Sequence, residues 1–464
     1  MGSRMRLHLD KVNQRPSAWP SLPWPSTAPI FARRAVEIEL INTGTELLLG
    51  RVLNTHQQWL GQRLADGGYT LSRQVTVPDT GPAICEAVQA ALGRADLVIT
   101  TGGLGPTSDD VTRELISDLL AKPLHRDDTI ADHIERFFAR RSNRPMPRTV
   151  LVQAEVPEGA VVFLNENGTA PGLAIEVSPT PFRASVVPAW LLMLPGPPRE
   201  LRPMVDDQVL PFIKKFLPLK QEFHCRTLRS LGVGESMVED MLLDQLKPLM
   251  DLGLDLGFCA RTGQVDIRLC GYGSEMPQLI ADAEAIIRVA IDKQIYGIDD
   301  QSIAEVVVER LIAAGETLVV AESCTGGFLG HHITNVPGAS AIFAGGVLTY
   351  SNVMKHKLLG VSESTLAEHG AVSKPVAIEM VEGALTMSGA DHALSVTGIA
   401  GPGGGTPEKP VGTVWLGVAS RGGRPLAIRK FHPYDRETFK HATVHQALEL
   451  LSEIKEDVSP ERVS

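Results

Sequence analysis

Asp96-Leu97-Val98-Ile99-Thr100-Thr101-Gly102-Gly103-Leu104-Gly105-Pro106-Thr107-Ser108-Asp109-Asp110-Val111-Thr112 is a continuously apolar run that stops in a glycine loop. A strand without polar alternation is buried on both faces, the situation of a central strand in a parallel sheet. The segments before it follow the same pattern. Val36 to Ile41 alternates like a strand and turns at Asn42-Thr43-Gly44-Thr45-Glu46 into a helix start. A helix follows around Asn54 to Gly67, then a strand near Leu71 to Val77 and a helix from Gly81 to Gly93. Strands alternating with helices predict an α/β, doubly wound sheet whose site lies in loops at the strand C-termini. The glycines of the 102–105 loop can turn backbone N–H groups toward phosphates, and Asp109 and Asp110 offer hard oxygens suited to magnesium. The competing reading is a structural turn in which the aspartates cap the next helix.

A second stretch has the same grammar. Thr317-Leu318-Val319-Val320 leads into Ala321-Glu322-Ser323-Cys324-Thr325-Gly326-Gly327 and then into the apolar Phe328-Leu329-Gly330-His331-His332-Ile333, which predicts strand, tight turn and helix. Ser323 then lies near a helix N-terminus, where backbone N–H groups and the helix dipole favour an anion. A serine there is a nucleophile only if a base takes its proton. Tyr350 and Lys355, five apart in Thr349-Tyr350-Ser351-Asn352-Val353-Met354-Lys355, could flank one hydroxyl on an irregular turn entering a helix. A lysine desolvated by apolar neighbours becomes neutral near pH 7 and can act as that base. Two other readings stand beside this one: Ser323 as a helix cap, and Cys324 as a rival nucleophile served by His331 or His332. Further on, Asp391 to Thr397 predicts another buried strand, feeding a loop from Gly398 to Gly405 able to wrap a ribose phosphate.

Composition bounds the function. A chain of 464 residues calls for two or three domains, and 43% hydrophobic with 21% charged residues is ordinary for a soluble globular protein. The formal net charge of -10 argues against a nucleic-acid binder that works by bulk electrostatics. Five scattered cysteines without zinc spacing fit a reducing cytoplasm. No apolar run approaches the roughly 18 residues of a membrane helix, so a cytoplasmic location is expected. His356, His369, His392, His432, His441 and His445 share no metal-ligand spacing and read as surface or packing residues.

Glu322 to Gly327, Thr349 to Asn352 with Lys355, Thr397-Gly398-Ile399-Ala400-Gly401-Pro402 and Lys409-Pro410-Val411-Gly412-Thr413-Val414 resemble, in order, the nicotinamide-nucleotide amidase domain of the CinA family of competence/damage-inducible proteins. The resemblance implies Ser323 as nucleophile on the carboxamide of nicotinamide mononucleotide and Lys355 as base, helped by Tyr350, with no cofactor. It also implies a substrate pocket drawn from Thr325, Gly326, Gly327, Asn352, Thr397, Gly398, Ala400, Gly401 and Arg436. This chain departs from the family's turn at Tyr434-Asp435-Arg436. Lys440 stands where a second arginine is usual, replacing a planar fork by a point charge.

Gly44-Thr45-Glu46-Leu47, Asn54-Thr55, the Gly102 to Thr112 loop and Leu194-Pro195-Gly196-Pro197-Pro198-Arg199-Glu200-Leu201 are similar to the molybdopterin-binding-like domain of the same family, where His56 departs from a usual asparagine. There the resemblance implies hydrolysis of ADP-ribose with a divalent metal on Asp109 and Asp110. The substrate would meet Gly44, Thr45, Glu46, Asn54, Gly102, Gly103, Gly105, Thr107 and Arg199.

The expected organisation is a proline-rich extension over 1–34, disordered by its composition, a molybdopterin-binding-like domain over 35–220, a small α+β linking domain over 221–297 and an α/β amidase domain over 298–464. A homodimer acting on small nucleotides, without direct nucleic-acid or membrane contact, is the expected state. Two alternatives differ in class: a competence or recombination interaction protein with vestigial sites, and an amidase whose first domain only binds a pterin or nucleotide.

Overall fold

The alternation read from Val36 becomes strand β1, Ile38–Thr43, every residue of which is buried. A computed structural model describes residues 36–141, 146–177, 182, 187–261 and 263–456; the proline-rich leader and the 183–185 connection lie outside them. The chain forms two compact units that divide after Leu219. Among the described residues no helix is long and apolar enough to cross a membrane.

In the first unit β2 (Leu71–Val77) and β3 (Leu97–Thr101) lie parallel on either side of β1. A ribbon of β4 (Leu124–Arg126) and β5 (Glu155–Pro157) is separate from the main sheet. β6 (Val161–Phe163), β7 (Gly172–Val177) and β8 (Ala189–Leu194) complete a six-stranded sheet in the order β2-β1-β3-β8-β7-β6. β8 is parallel to β3, but β7 and β6 run antiparallel. The doubly wound sheet therefore carries an antiparallel edge, because the 164–171 turn is shorter than the dozen or so residues a parallel return needs. Side chains alternate between layers with the period of two that a strand imposes. Ile38, Leu40, Leu97 and Ile99 meet Leu60 and Leu64 of helix Thr55–Asp66 on one face. Ile41 and Val98 meet Ile84 and Val88 of helix Gly81–Leu92 on the other.

The second unit opens with β9 (Phe223–Leu231), β10 (Asp255–Arg261), β11 (Gln264–Tyr272) and β12 (Ile295–Ile298), an antiparallel sheet ordered β10-β11-β9-β12. Helices Glu235–Asp251 and Met276–Ile291 bury Val238, Leu242, Ile280 and Ile287 against Leu228, Ile267 and Leu269 of that sheet. The remaining five strands are β13 (Leu318–Glu322), β14 (Phe343–Leu348), β15 (His392–Gly398), β16 (Thr413–Ser420) and β17 (Leu426–Phe431), in the order β14-β13-β15-β16-β17. β14, β13 and β15 are parallel; β16 and β17 close the sheet antiparallel. Residues 349–351 form the expected turn into a helix, but the edge strand β14 before it was not expected. Gly345 and Gly346 hide that strand from propensity, and pairing with β13 supplies what propensity lacks. Helix Ile303–Ala314 is entered through a capping box of Ser302 and Glu305 and left through Gly315 in the left-handed region.

Candidate active sites

Ser323 follows the last residue of β13, in a turn where Gly326 and Gly327 take φ of 63° and 99°, values that glycine adopts without strain. Lys355 comes from helix Asn352–Leu359, whose first turn is capped by the Ser351 hydroxyl, accepting from the Met354 N–H at 3.3 Å. Lys355 and Leu359, one turn apart, are the buried residues of that helix. A Cβ on Gly383 would collide with the Leu359 carbonyl, so a glycine inside helix Lys374–Ser388 is what lets the end of the lysine helix lie against it.

Lys355 Nζ donates to Ser323 Oγ at 2.9 Å and to the Thr349 carbonyl at 2.7 Å. The lysine is 1% exposed, and burial lowers its pKa to about 8 because the ammonium has lost water. In the neutral amine the same geometry lets the lone pair accept the Ser323 proton while an N–H holds the Thr349 carbonyl. Burial has the opposite consequence for Cys324, whose thiol is pushed up to about 12 and stays protonated. The neighbouring imidazoles are engaged elsewhere: His332 Nδ1 lies 2.9 Å from the Phe328 carbonyl, and His331 Nε2 accepts from Asn335 Nδ2 at 3.0 Å. Of the two candidate nucleophiles in this turn, Ser323 is the one in contact with a buried amine.

Two expectations need correction. The N–H groups at the start of the 328–334 helix do not await an oxyanion, because the buried Glu322 carboxylate occupies them. Its Oε2 accepts from Gly327 and Leu329 N–H at 2.9 and 3.1 Å, and its Oε1 accepts from Gly330 N–H at 2.8 Å. Of the two N–H groups directly after Ser323, that of Thr325 has no acceptor among the described residues and that of Cys324 meets only its own sulfur. A developing oxyanion would find its donors there. Nor do Tyr350 and Lys355 flank one hydroxyl. Tyr350 is 66% exposed and accepts from Arg436 Nη2 at 2.9 Å, while Arg436 Nη1 donates to the Gly401 carbonyl at 2.7 Å. Tyr350 leaves the strand end toward solvent, whereas Lys355, a helical turn beyond Ser351, faces inward.

The other predicted pocket residues spread around this centre. Thr325 is fully buried, and its hydroxyl has no partner among the described residues. Asn352 is exposed. Thr397 donates its hydroxyl to the Ala371 carbonyl at 2.8 Å, Gly398 ends β15, and Ala400 is buried. Beside Arg436 opens a cavity of about 590 Å³ lined by Phe328, His331, His332, Lys440 and His441 among others. Its charged groups are Arg436, Glu437 and Lys440, the last 5.0 Å over the Phe328 ring, so the cations outnumber the acid by one. Burial lowers the pKa of His332 and, to about 4, that of His445. Among the described residues no group of three or more acidic, histidine or cysteine side chains has metal-holding geometry.

In the first unit the 102–112 loop leaves β3 as predicted. A Cβ on Gly102 would strike Thr43 at the end of β1, while one on Gly103 would strike Thr112 and one on Gly105 would strike Asp110, so the loop is close-packed on β1 and on its own return. Thr107 bridges both aspartates: its hydroxyl oxygen lies 2.6 Å from Asp109 Oδ1 and 2.5 Å from Asp110 Oδ2, its single proton serving one of them at a time, and its N–H donates to Asp110 Oδ2 at 3.0 Å. The Thr107 hydroxyl also holds the Asp109 carboxyl below its usual pKa. Thr45 N–H donates to Asp79 Oδ2 at 2.8 Å, and Glu46 is exposed. Asn54 caps helix Thr55–Asp66 and donates to Asn42 Oδ1 at 3.0 Å. Arg199 is mostly solvent-exposed, 3.8 Å from Glu200.

Comparison with known proteins decides the family. A model of the CinA C-terminal domain matches residues 300–455, one of a molybdopterin binding domain matches 39–215, and one of the damage-inducible protein CinA KH domain matches 225–297. A CinA-like protein of Akkermansia muciniphila is 44% identical over 415 residues, covering 89% of this chain and 96% of that protein. The chain belongs to the CinA family. Solved CinA relatives include the competence/damage inducible protein CihA of Agrobacterium tumefaciens, at 41% identity over 33% of this chain and 97% of that one, TM-score 0.32. A CinA superfamily protein of Escherichia coli matches at 34% identity over 32% of this chain and 88% of that one, TM-score 0.32.

Three features of this CinA chain were missed by sequence reasoning. Glu322 adjoins the nucleophile in sequence, but only the turn shows its carboxylate folding back on three N–H groups. Asn42 is fully buried at the end of β1, accepting from Asn54 and Gln74 at 3.0 Å each and donating to Thr101 Oγ1 at 2.6 Å. Its signal was an asparagine ending an apolar strand. Glu200, one residue past Arg199, accepts from the buried Asn165 at 2.9 Å. Because the Glu322 bonds are charge-assisted, Glu322→Gln is expected to cost about 1–3 kcal/mol of stability. Thermal unfolding should show a lower midpoint, and an unchanged midpoint would mean that the turn does not need the charge.

Proposed function

We propose that this CinA protein is a bifunctional pyridine-nucleotide hydrolase whose C-terminal domain converts nicotinamide mononucleotide to nicotinate mononucleotide and ammonia. The observation that carries this reading is the 2.9 Å contact between Ser323 Oγ and a buried lysine amine with a lowered pKa. Neutral Lys355 takes the serine proton as Oγ attacks the carboxamide carbon, forming a tetrahedral intermediate whose oxyanion meets the Cys324 and Thr325 N–H groups. Lys355 then hands its proton to the departing nitrogen, and ammonia leaves an acyl-enzyme. Water, deprotonated by the same lysine, attacks the acyl carbon and regenerates Ser323. Arg436 and Lys440 supply positive charge at the mouth for the substrate phosphate.

The N-terminal domain, in the same reading, cleaves ADP-ribose. Asp109 and Asp110 each keep an oxygen outside the Thr107 bonds, which suits magnesium held by one or two carboxylates together with substrate phosphates. The metal would neutralise charge on the pyrophosphate. Thr107 orients the two carboxylates, and the close-packed 102–105 loop holds them in place.

The test is a paired assay on the full chain. Asp110→Ala, or a chelator, is expected to remove AMP release from ADP-ribose while ammonia release from nicotinamide mononucleotide persists. Loss of both activities in folded Asp110→Ala would overturn the two-site reading. Absence of AMP release from the metal-supplied wild type would leave the first domain a binding module.

A further inference from the structure

In the linking domain Cys225 of β9 lies directly opposite Cys270 of β11 in an antiparallel pair. Two bonds at the ends of this ladder settle which kind of rung they share. Gly273 N–H donates to the Glu222 carbonyl at 2.9 Å, and Gly232 N–H donates to the Gly263 carbonyl at 3.3 Å; each joins directly opposed residues. Opposed pairs alternate between hydrogen-bonded and non-hydrogen-bonded rungs. Counting inward from either end, the even-numbered residues of β9 take the bonded rungs, so Cys225 and Cys270 occupy a non-bonded one. There Cα atoms stand about 4.5 Å apart and side chains approach most closely, within the Cα range of a disulfide. The two thiols are in hydrogen-bond contact.

Their surroundings are unequal. The Arg268 guanidinium is hydrogen-bonded to the Cys225 sulfur, and Cys225 is half-buried, so a small reagent can reach it. Cys270 is buried and donates to Asp255 Oδ2 at 3.6 Å; the hydrogen bond with Cys225 and burial, with a smaller push from the Asp255 carboxylate, hold it as a thiol against the pull of Arg268. The rings of Phe223 and Tyr272, tilted at 55° with centroids 5.1 Å apart, form the next opposed pair on the same face. Of the five cysteines, no other two are strand partners.

We propose that Cys225 and Cys270 are a reversible thiol–disulfide site, with Cys225 the attacking thiolate and Cys270 the resolving thiol, and a small-molecule disulfide as oxidant. In the first step the Cys225 thiolate attacks one sulfur of the oxidant, forming a mixed disulfide and expelling one thiolate. In the second, Cys270 loses its proton and attacks the Cys225 sulfur, forming the cross-strand bond and expelling the second thiolate. Two cysteine thiols are oxidised and one disulfide is reduced to two thiols. A positive group beside the attacking sulfur and a second thiol within reach are what such a site needs.

The experiment incubates the native full-length chain in buffers of rising oxidised-to-reduced glutathione ratio, quenches with acid, alkylates and maps peptides by mass spectrometry. The expected result is a Cys225–Cys270 linked pair of peptides, two of five thiols lost, and full reversal by reductant. Cys270→Ser should stop at a glutathione adduct on Cys225, whereas Cys225→Ser should leave Cys270 unmodified. Arg268→Gln, which keeps both sulfurs, should slow the first step by about tenfold. The proposal is overturned if both cysteines alkylate as thiols at a ratio that converts the exposed Cys259, or if Cys225 keeps glutathione while Cys270 is present.

Discussion

Ser323→Ala is expected to lower ammonia release from nicotinamide mononucleotide by on the order of 10⁴-fold or more, the scale seen when a nucleophile that acts as a unit with its base is removed. AMP release from ADP-ribose should be unchanged, because the hydroxyl belongs to the second unit and the 102–112 loop to the first. The substitution removes one hydroxyl from a buried position and leaves Lys355 its bond to the Thr349 carbonyl. The thermal midpoint should therefore move by only a few degrees, which separates loss of chemistry from loss of fold. Retained ammonia release in the alanine variant would shift the nucleophile to Cys324 or to a water and sink the serine mechanism.

Removing the base should cost nearly as much. Lys355→Met keeps the length and apolar stem of the side chain but cannot accept a proton, and turnover should fall by about 10²–10⁴-fold. Lys355→Arg should do no better, since a guanidinium stays charged at any working pH. In the wild type the direction of the pH effect follows from the lowered lysine pKa. The active form is the neutral amine, so turnover should drop about tenfold per pH unit below about 8 and level off above it. A profile of turnover against pH, run between about pH 6 and 9 on folded protein, checks this. A flat profile would mean that the Lys355 proton is not the one that matters.

How much of this was legible in the residues varies with the kind of information each feature needs. The strand expected near Leu71 to Val77 is β2 with those bounds, because apolar and β-branched residues mark a strand locally. Ser323 and Lys355 could be named for the same local reason: a small hydroxyl ending an apolar strand, and a lysine among apolar neighbours. β14 was not legible, since its glycines carry no strand propensity and only its partner defines it. The antiparallel β6–β7 edge was missed because strand direction is set by the length of the return, not by residues within the strands.

The site divides along the same line. Local sequence determined that a serine turn, a nearby lysine and a glycine loop with two aspartates exist, and that no basic excess is available for nucleic acid. Tertiary structure alone decided which groups meet. Lys355 reaches Ser323 across residues distant in sequence because Gly383 lets one helix rest on another. Tyr350 turns out to Arg436, and Glu322 occupies the helix start that local reasoning assigned to an oxyanion. Backbone propensity acts over a few residues and is written where it acts; hydrogen bonds and desolvation act across space, so the lysine pKa and its contact with Ser323 come into being only when the chain closes on itself.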